Sequence, residues 1–564
     1  GQSAFVESAA FLRKGLALLD SHCKSWDDYF DLTFELTTSL SRMELANGNF
    51  EACKVMIARA LEHAKTTEMK LDSLLLCVEV SLAANEISEC VPIALSALKT
   101  IGIKIPSRLS KVHVLAKLLK VRRMLRGKTD EDILALPKMT DRVMTSVGKI
   151  LFHISSACIL EGDREDLMVY ASLVSCQASL DHGLFPYSAL AFGYYGTAEI
   201  LLGHHARGYR FGKLATLIQD ATISKAAECA TVSILYSFVI HWKEPVSGLR
   251  EHFSHAMERG VEIGDNIYGI YSASLCYTMG IMLGENLQIL DESMRLTYNR
   301  MSDLSDAEGF LLWLPLQLQF VQNLQTKAPD SWRELTVLTG DAMDEDEFLC
   351  LVRRSGNKIF QIYCAMYKTM LAYHFGFYEM AGALYCAIIS SMPKAMSSHI
   401  TILELHTFGA LSHCQLYRET GKRCYLERFR VAKRKLEQAQ SIGCPNVSSQ
   451  LLLLEAEHLS LQRRVAVSKL RSAYRTAIEE FQREELVHLE ALANERAAAC
   501  LLSTNEVAIS DVYLQRSLHL YKNGWGAYAK YEWLKATTTQ TTLTSSRLYG
   551  RTIDLSKSAK STIE

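Results

Sequence analysis

Apolar residues recur three and four positions apart through most of this chain, and the recurrence breaks at short stretches rich in glycine or polar residues. Phe5, Ala9, Leu12, Leu16 and Leu19 form a first helical stripe, and Trp26 and Tyr29 open the next helix. Leu32, Leu36, Leu40, Met43 and Leu45 carry that helix into Gly48. Glycine has no Cβ to clash in left-handed backbone, so Gly48 is placed to end it. Phe50, Cys53, Ile57 and Ala60 then share one face of a second helix, and the small side chains of Cys53 and Ala60 let two helices lie close together. The pair predicts a helix-turn-helix hairpin of tetratricopeptide type, which cannot bury its apolar face alone. The pattern returns at Asn85, Ile87, Cys90, Ala94 and Ala97, and again at Gly376, Phe377, Tyr378, Ala381, Tyr385 and Ile388. No segment of convincing length alternates with the period of a strand. The expected fold is all-α, an α-solenoid of stacked TPR-like hairpins.

Between these copies the spacing predicts helices over 147–160, 167–180 and 188–202, with so few charges that they belong to an inner layer covered on most sides. Leu136-Pro137-Lys138-Met139-Thr140-Asp141 is a break, with Asp141 placed to cap the helix that follows. Gly208, Gly212 and Ala215 give the 203–218 segment a close-packing face. The uncharged run from Ile267 to Gly284 is long enough to raise the question of a membrane span, but its tyrosines, serines and glycines favour a buried helix pair. Asp303–Asp306 and Asn323–Arg333 read as loops, so a break near 303–345 could divide the array into two lobes. The acidic run at Asp341, Asp344, Glu345, Asp346 and Glu347 suits a helix start, where carboxylates complement the helix dipole. Gly443-Cys444-Pro445-Asn446 punctuates again, and Trp525-Gly526 precedes a last helix ending near Leu534. The repeat region is expected over 1–536, a Thr/Ser-rich linker over 537–546, and the start of a following module over 547–564.

Composition narrows the function classes. Apolar residues make up 49% and there are only nine prolines, which suits long helices sharing an extended core. A net charge of −1 argues against a dedicated nucleic-acid binder. Fifteen cysteines, odd in number and without a Cys-x-x-Cys pair, read as free thiols in a reducing, cytoplasmic compartment. The chain begins with Gly-Gln-Ser-Ala inside a helical pattern, as expected of a piece of a longer protein.

One local charge bias stands out: from Lys104 to Lys128 there are nine Lys or Arg and no Asp or Glu. Val112, Leu115, Leu118, Leu119 and Leu125 are the expected buried stripe of this helix. Lys117, Lys120, Arg122, Arg123 and Arg126 then make a basic face for an acidic partner or a membrane surface. The plainer alternative is a solvated face, or one paired with a neighbouring acidic helix.

Catalytic signatures are absent. Gly208-Tyr209-Arg210-Phe211-Gly212-Lys213-Leu214 falls one residue short of a phosphate-binding loop and sits in a helical pattern. His252 and His255 could share a metal but lack a third ligand nearby, so a wet helix face is expected; His204-His205, and His399 with His406, form no His-Glu-x-x-His arrangement. No nucleophile elbow or kinase catalytic loop occurs. The sequence nominates no catalytic residue, no cofactor and no metal site.

Several stretches together resemble the helical-repeat region of very large signalling proteins that carry a kinase-like domain, a STAND/AAA-type predicted ATPase, a GAF domain and a histidine kinase. The matching residues run in order: Trp26 and Tyr29 before Gly48-Asn49-Phe50-Glu51, Ile101-Gly102-Ile103 with Pro106, Leu136 to Asp141, and Gly208 to Gly212. Then come Leu338-Thr339-Gly340, Cys444-Pro445-Asn446, Leu453-Leu454-Glu455-Ala456-Glu457, Ala491-Asn494-Glu495, and Tyr521 with Trp525-Gly526-Ala527 and Lys530. Ile553-Asp554-Leu555 and Lys560 loosely resemble the segment that leads into the GAF domain. The resemblance implies a non-catalytic regulatory scaffold between an ATP-dependent switch and a phosphorelay kinase, with protein partners or adjacent domains as its ligands. The alternatives are the helical sensor of a STAND-type transcription activator or a stand-alone TPR-like adaptor; an α-helical enzyme is disfavoured because no titratable groups converge.

Overall fold

A computed structural model describes residues 2–22, 25–106, 108–162, 164–222, 227–302, 309–327, 329, 331–462 and 464–539. The expectations placed on 303–306 and on 540–564 lie outside them. Among the described residues the chain is all-α, and the one β pairing is an isolated parallel bridge between Lys138 and Leu184.

Helices alternate between two environments. Thr401–Thr420 is buried on nearly every side, whereas its hairpin partner Arg423–Ser441 buries only Phe429, Ala432, Leu436 and Ala439. The same contrast separates Ser188–Leu201 from the exposed flank of His205–Thr222, Asn266–Met282 from Leu249–Ile263, and Lys358–His374 from Tyr378–Ser391. The first kind is apolar all round and forms the inner layer; the second carries one stripe and forms the outer layer. Burial joins apolar residues from Leu71 to Leu534 into one large core, to which Trp313, Leu314, Phe320, Leu335 and Leu338 contribute, while Phe192, Tyr195, Phe211, Leu235 and Phe253 belong to a second cluster beside it. The stretch expected to break the array therefore adds side chains to the shared core.

The hairpin turn is one recurring device. Gly48 adopts φ +70°, its N–H reaches the Leu45 carbonyl, and the Asn49 N–H reaches back to Glu44. Such a paired closure satisfies the last carbonyls of the helix. The same two bonds recur at Gly203, Gly284 and Gly376, but also at Asn85, Glu485 and Asn505, all at positive φ. At these last three positions no glycine marks the turn. In the hairpin at Gly48, Cys53 and Ala60 are buried, Phe50 starts the second helix, and the Cys53 thiol donates to the Ser41 carbonyl at 3.0 Å. Gly376, Tyr378, Ala381 and Tyr385 take the corresponding places in the later hairpin, with Tyr378 opening its outer helix.

Three expectations change. The 267–284 segment is one helix, Asn266–Met282, whose Gly269 lies backbone to backbone against Gly260; a Cβ on Gly260 would stand 2.5 Å from the Gly269 Cα. The last helix runs through residue 539, because Thr537 and Thr538 bond back to the carbonyls of Trp533 and Leu534. The helix ending the 313–325 segment reaches Gln325, into the expected loop. One further helix, Arg142–Glu161, is long and apolar enough to cross a bilayer, but it packs in the core with 61% of its apolar window buried.

The close approach read from Gly208 and Gly212 is real. A Cβ on Gly196 would meet the Gly208 carbonyl oxygen at 2.8 Å and the Gly212 nitrogen at 3.4 Å. Backbone cannot swing aside as a side chain can, so Gly196→Val is expected to destabilise the fold by about 1–3 kcal/mol through overpacking. A lowered midpoint of thermal unfolding checks it; an unchanged midpoint would mean that the two helices are free to separate.

Candidate ligand cavity, basic helix face and buried charge network

The ordered motifs near the C-terminal end converge on buried charge. Glu457, on Ser448–Ser460, is fully enclosed. Its Oε1 accepts from Arg496 Nε at 3.0 Å and from the Tyr474 hydroxyl at 2.9 Å, while Oε2 accepts from Arg418 Nη2 at 2.9 Å. Burial alone would raise the Glu457 carboxyl, but Arg496 and Arg418 outweigh it and hold it down at about 2. Two helices on, in Val487–Ser503, Glu495 accepts from Lys530 Nζ at 2.8 Å and from the Tyr521 hydroxyl at 2.7 Å. Lys530 also donates to the His374 carbonyl at 2.7 Å, and burial brings its ammonium down to about 8, with Glu495 opposing. Trp525 is buried beside His374 and His488, and Gly526 at φ +81° turns the chain into the last helix. These charges fasten four hairpins to one another.

The other motifs are clasps between distant segments. Asn446 donates to the carbonyls of His241 at 2.7 Å and Glu244 at 3.0 Å, and accepts from the Val246 N–H at 2.9 Å. Met139 N–H bonds the Leu184 carbonyl and Leu184 N–H the Pro137 carbonyl, both at 2.8 Å, while Asp141 caps Met144 at 3.1 Å. Glu345 accepts from the Leu338 N–H at 2.8 Å, and its own N–H donates to Thr339. None of these residues opens onto a reactive centre.

The basic helix, Lys111–Leu125, is rotated from its expected setting. Leu118 and Val121 are its buried residues, whereas Val112, Leu115 and Leu119 are 75%, 53% and 54% exposed. The five basic candidates divide accordingly. Arg122 forks onto the enclosed Glu199 carboxylate, Nε to Oε1 at 3.0 Å and Nη2 to Oε2 at 2.7 Å, and the bond holds the guanidinium above its ordinary value. Lys117 donates to Gln177 at 2.7 Å, and burial lowers its ammonium. Those two are taken up by packing against the neighbouring helices, which corrects their assignment to a free face. Lys120, Arg123 and Arg126 are exposed, next to the uncovered leucines and valine. The sequence misplaced the stripe because apolar residues occupy two faces of this helix and spacing alone does not say which is covered.

A cavity of about 390 Å³ lies between inner helices of several hairpins. Phe152, Ser156, Tyr194, Phe238 and Trp313 form a buried floor, and Glu79, Lys149, Asp265 and Tyr268 stand at the partly exposed rim. Lys149 Nζ pairs with Glu79 Oε1. Burial opposes that carboxylate, yet the Lys149 ammonium draws it down to about 2, and Glu79 in turn holds Lys149 above its ordinary range. Ser156 Oγ lies 2.9 Å from the Tyr268 hydroxyl and 3.1 Å from that of Tyr194. His153 is 9% exposed, neither ring nitrogen has a hydrogen-bond partner, and its nearest carboxylate oxygen stands 3.9 Å from Nε2. Burial lowers its pKa and keeps the ring neutral. The sequence did not reveal this site; the available signal was Lys149 and His153 interrupting a helix otherwise apolar on most sides.

His252 and His255 are both exposed, as expected, and the His252 ring stacks on Tyr236. Among the described residues no cluster of His, Cys, Asp and Glu is arranged to hold a metal, and the described cysteines are all free.

No family model matches this chain. The hybrid signal transduction histidine kinase G of Dictyostelium discoideum is 20% identical over 291 residues, which are 48% of this chain and 8% of that protein. The matched region is thus a small part of the kinase's length. Among solved structures, yeast Tom70 aligns over 78% of this chain and 99% of its own with 11% identity and a TM-score of 0.25. A designed circular tandem repeat protein aligns over 95% of this chain and 98% of its own with 12% identity and a TM-score of 0.16. Scores this low leave the fold to rest on the stacked hairpins themselves, so the chain stands as an all-α helical-repeat protein with distant similarity to part of a histidine kinase.

Proposed function

We propose that this chain is a non-catalytic protein-interaction and regulatory scaffold within a signal-transducing protein of the ATPase and histidine kinase type, acting in the cytoplasm without a cofactor of its own. The observation that carries the reading is the exposed face of Lys111–Leu125, where Val112, Leu115 and Leu119 lie uncovered beside Lys120, Arg123 and Arg126. Uncovered apolar side chains flanked by one sign of charge fit an acidic amphipathic helix, from a partner or an adjacent domain, laid along this face. Stacked repeats offer extended surfaces for such contacts, and packed elements can pass a displacement along the array. The similarity to histidine kinase G supports the signalling context.

The test is charge reversal in the parent protein. Lys120→Glu combined with Arg123→Glu and Arg126→Glu leaves the buried Leu118 and Val121 untouched, so the fold should stand. We expect kinase autophosphorylation to lose its response to the upstream nucleotide switch in that variant. An unchanged response, with the variant folded, would remove this face from the mechanism.

A further inference from the structure

The cavity between the inner helices is not used by the scaffold reading, and close packing does not account for it. Protein interiors leave few voids larger than a water molecule. A space of about 390 Å³ is in the range of small-molecule sites. Its walls come from helices far apart in sequence: Glu79, Leu82 and Ala83 from Thr67–Ala83; Lys149 to Ile159 from Arg142–Glu161; Ala230, Ile234 and Phe238 from Glu228–Phe238; and Trp313 from Trp313–Gln325.

We propose that this cavity binds one uncharged, flat, largely apolar molecule carrying a single hydroxyl, carbonyl or amide group, with its ring system on Phe152, Tyr194, Phe238 and Trp313 and its polar group on His153. Three observations select that class. The floor is aromatic and buried, so it accepts a planar hydrocarbon body and offers ring faces and edges to stack against. The neutral His153 ring holds one donor and one acceptor with no protein partner, and an orphan pair of that kind, buried, is costly until something satisfies it. The charges at the rim are already answered: Lys149 pairs with Glu79, and Asp265 accepts from the Tyr268 N–H at the start of its helix, 3.4 Å away. An ion entering the cavity would surrender its hydration with no free countercharge to meet it. A neutral ligand loses little by the same transfer.

N-phenyl-1-naphthylamine is a suitable probe, being uncharged, aromatic and furnished with one N–H. Titrated into the 564-residue chain, it should give saturable, blue-shifted fluorescence with one site. Filling the cavity from either wall, by Ala83→Phe or by Ala230→Phe, should weaken binding by about tenfold or more. The two substitutions lie on different helices, and circular dichroism identifies any variant that has not folded. His153→Leu keeps the walls and should lower affinity several-fold. The sulfonate analogue 8-anilino-1-naphthalenesulfonate should bind more weakly than the neutral probe. Absent saturation by the neutral probe, or native affinity in folded cavity-filling variants, overturns the site. Equal or tighter binding of the sulfonate at the same site overturns the uncharged class. The charge reversal at Lys120, Arg123 and Arg126 should leave probe binding unaltered, so this site and the docking face stand or fall separately.

Discussion

Glu457→Gln is expected to destabilise the C-terminal hairpins by about 3–5 kcal/mol, the usual cost of removing one partner from a buried ion pair. The substitution changes almost no volume and keeps an acceptor for the Tyr474 hydroxyl. What it removes is the countercharge of Arg496, whose guanidinium is enclosed and bonds no other carboxylate among the contacts described. Arg418 is partly exposed and can turn toward water; Arg496 cannot. The loss should therefore come mainly from the Arg496 side. Glu457→Gln combined with Arg496→Met then regains most of it, because the orphan charge has gone and a methionine fills the space. Thermal unfolding of the two variants against the native chain decides the matter: a double variant no better than the single one would show that the hydrogen bonds, not the charge balance, hold the hairpins together. Acid supplies an independent check. The Glu457 carboxyl lies below its unfolded value, so its contribution is fully present above about pH 4.5 and is lost as pH falls toward 2. That acid-labile component should be missing from both variants.

The network also shows how far the sequence could be read. Glu457, Glu495, Tyr521 and Lys530 were singled out by resemblance, as motif residues without a stated role, and the structure supplies one: Glu495 binds Lys530 and Tyr521, and Glu457 binds Arg496, the next residue along that helix. No local pattern could have paired Glu495 with Lys530, since the pairing exists only once the hairpins stack. The helices and the general architecture, by contrast, were open to reading, because the period of apolar residues is a local property. Glycine marked the turns at Gly48 and Gly376, whereas at Glu485 the left-handed backbone is imposed by the hairpin despite its Cβ. Helix rotation was the weakest inference. Val112, Leu115 and Leu119 have the spacing of a buried stripe, yet the neighbouring helices cover Leu118 and Val121 instead. The cavity was out of reach for the same reason as the network: its walls come from helices of several hairpins, and only tertiary packing assembles them.

Glu404→Gln should act in the opposite direction to Glu457→Gln, stabilising the fold at about pH 8 by about 3 kcal/mol. Both glutamates sit on inner helices and both are buried, so burial alone does not separate them. Partners do. Glu457 has two guanidinium groups and a phenol, whereas the Oε1 of Glu404 has no hydrogen-bond partner, and burial pushes its carboxyl up to about 7. The sign of the linkage follows. Between about pH 4.5 and 7 the unfolded chain has lost this proton while the fold keeps it, so stability falls as pH rises through that window and stays low above it. Glutamine cannot ionise and has nearly the shape of the protonated acid. The variant and the native chain should therefore unfold alike near pH 4.5, and the variant should gain progressively up to pH 7. Thermal unfolding of both across that range measures the gap directly. A gap that is the same at both ends of the range would mean that Glu404 keeps its charge in the fold and that a partner for it forms on the inner layer. A gap that opens with pH would identify Glu404 as a carboxylic acid held neutral by the packing of the solenoid itself.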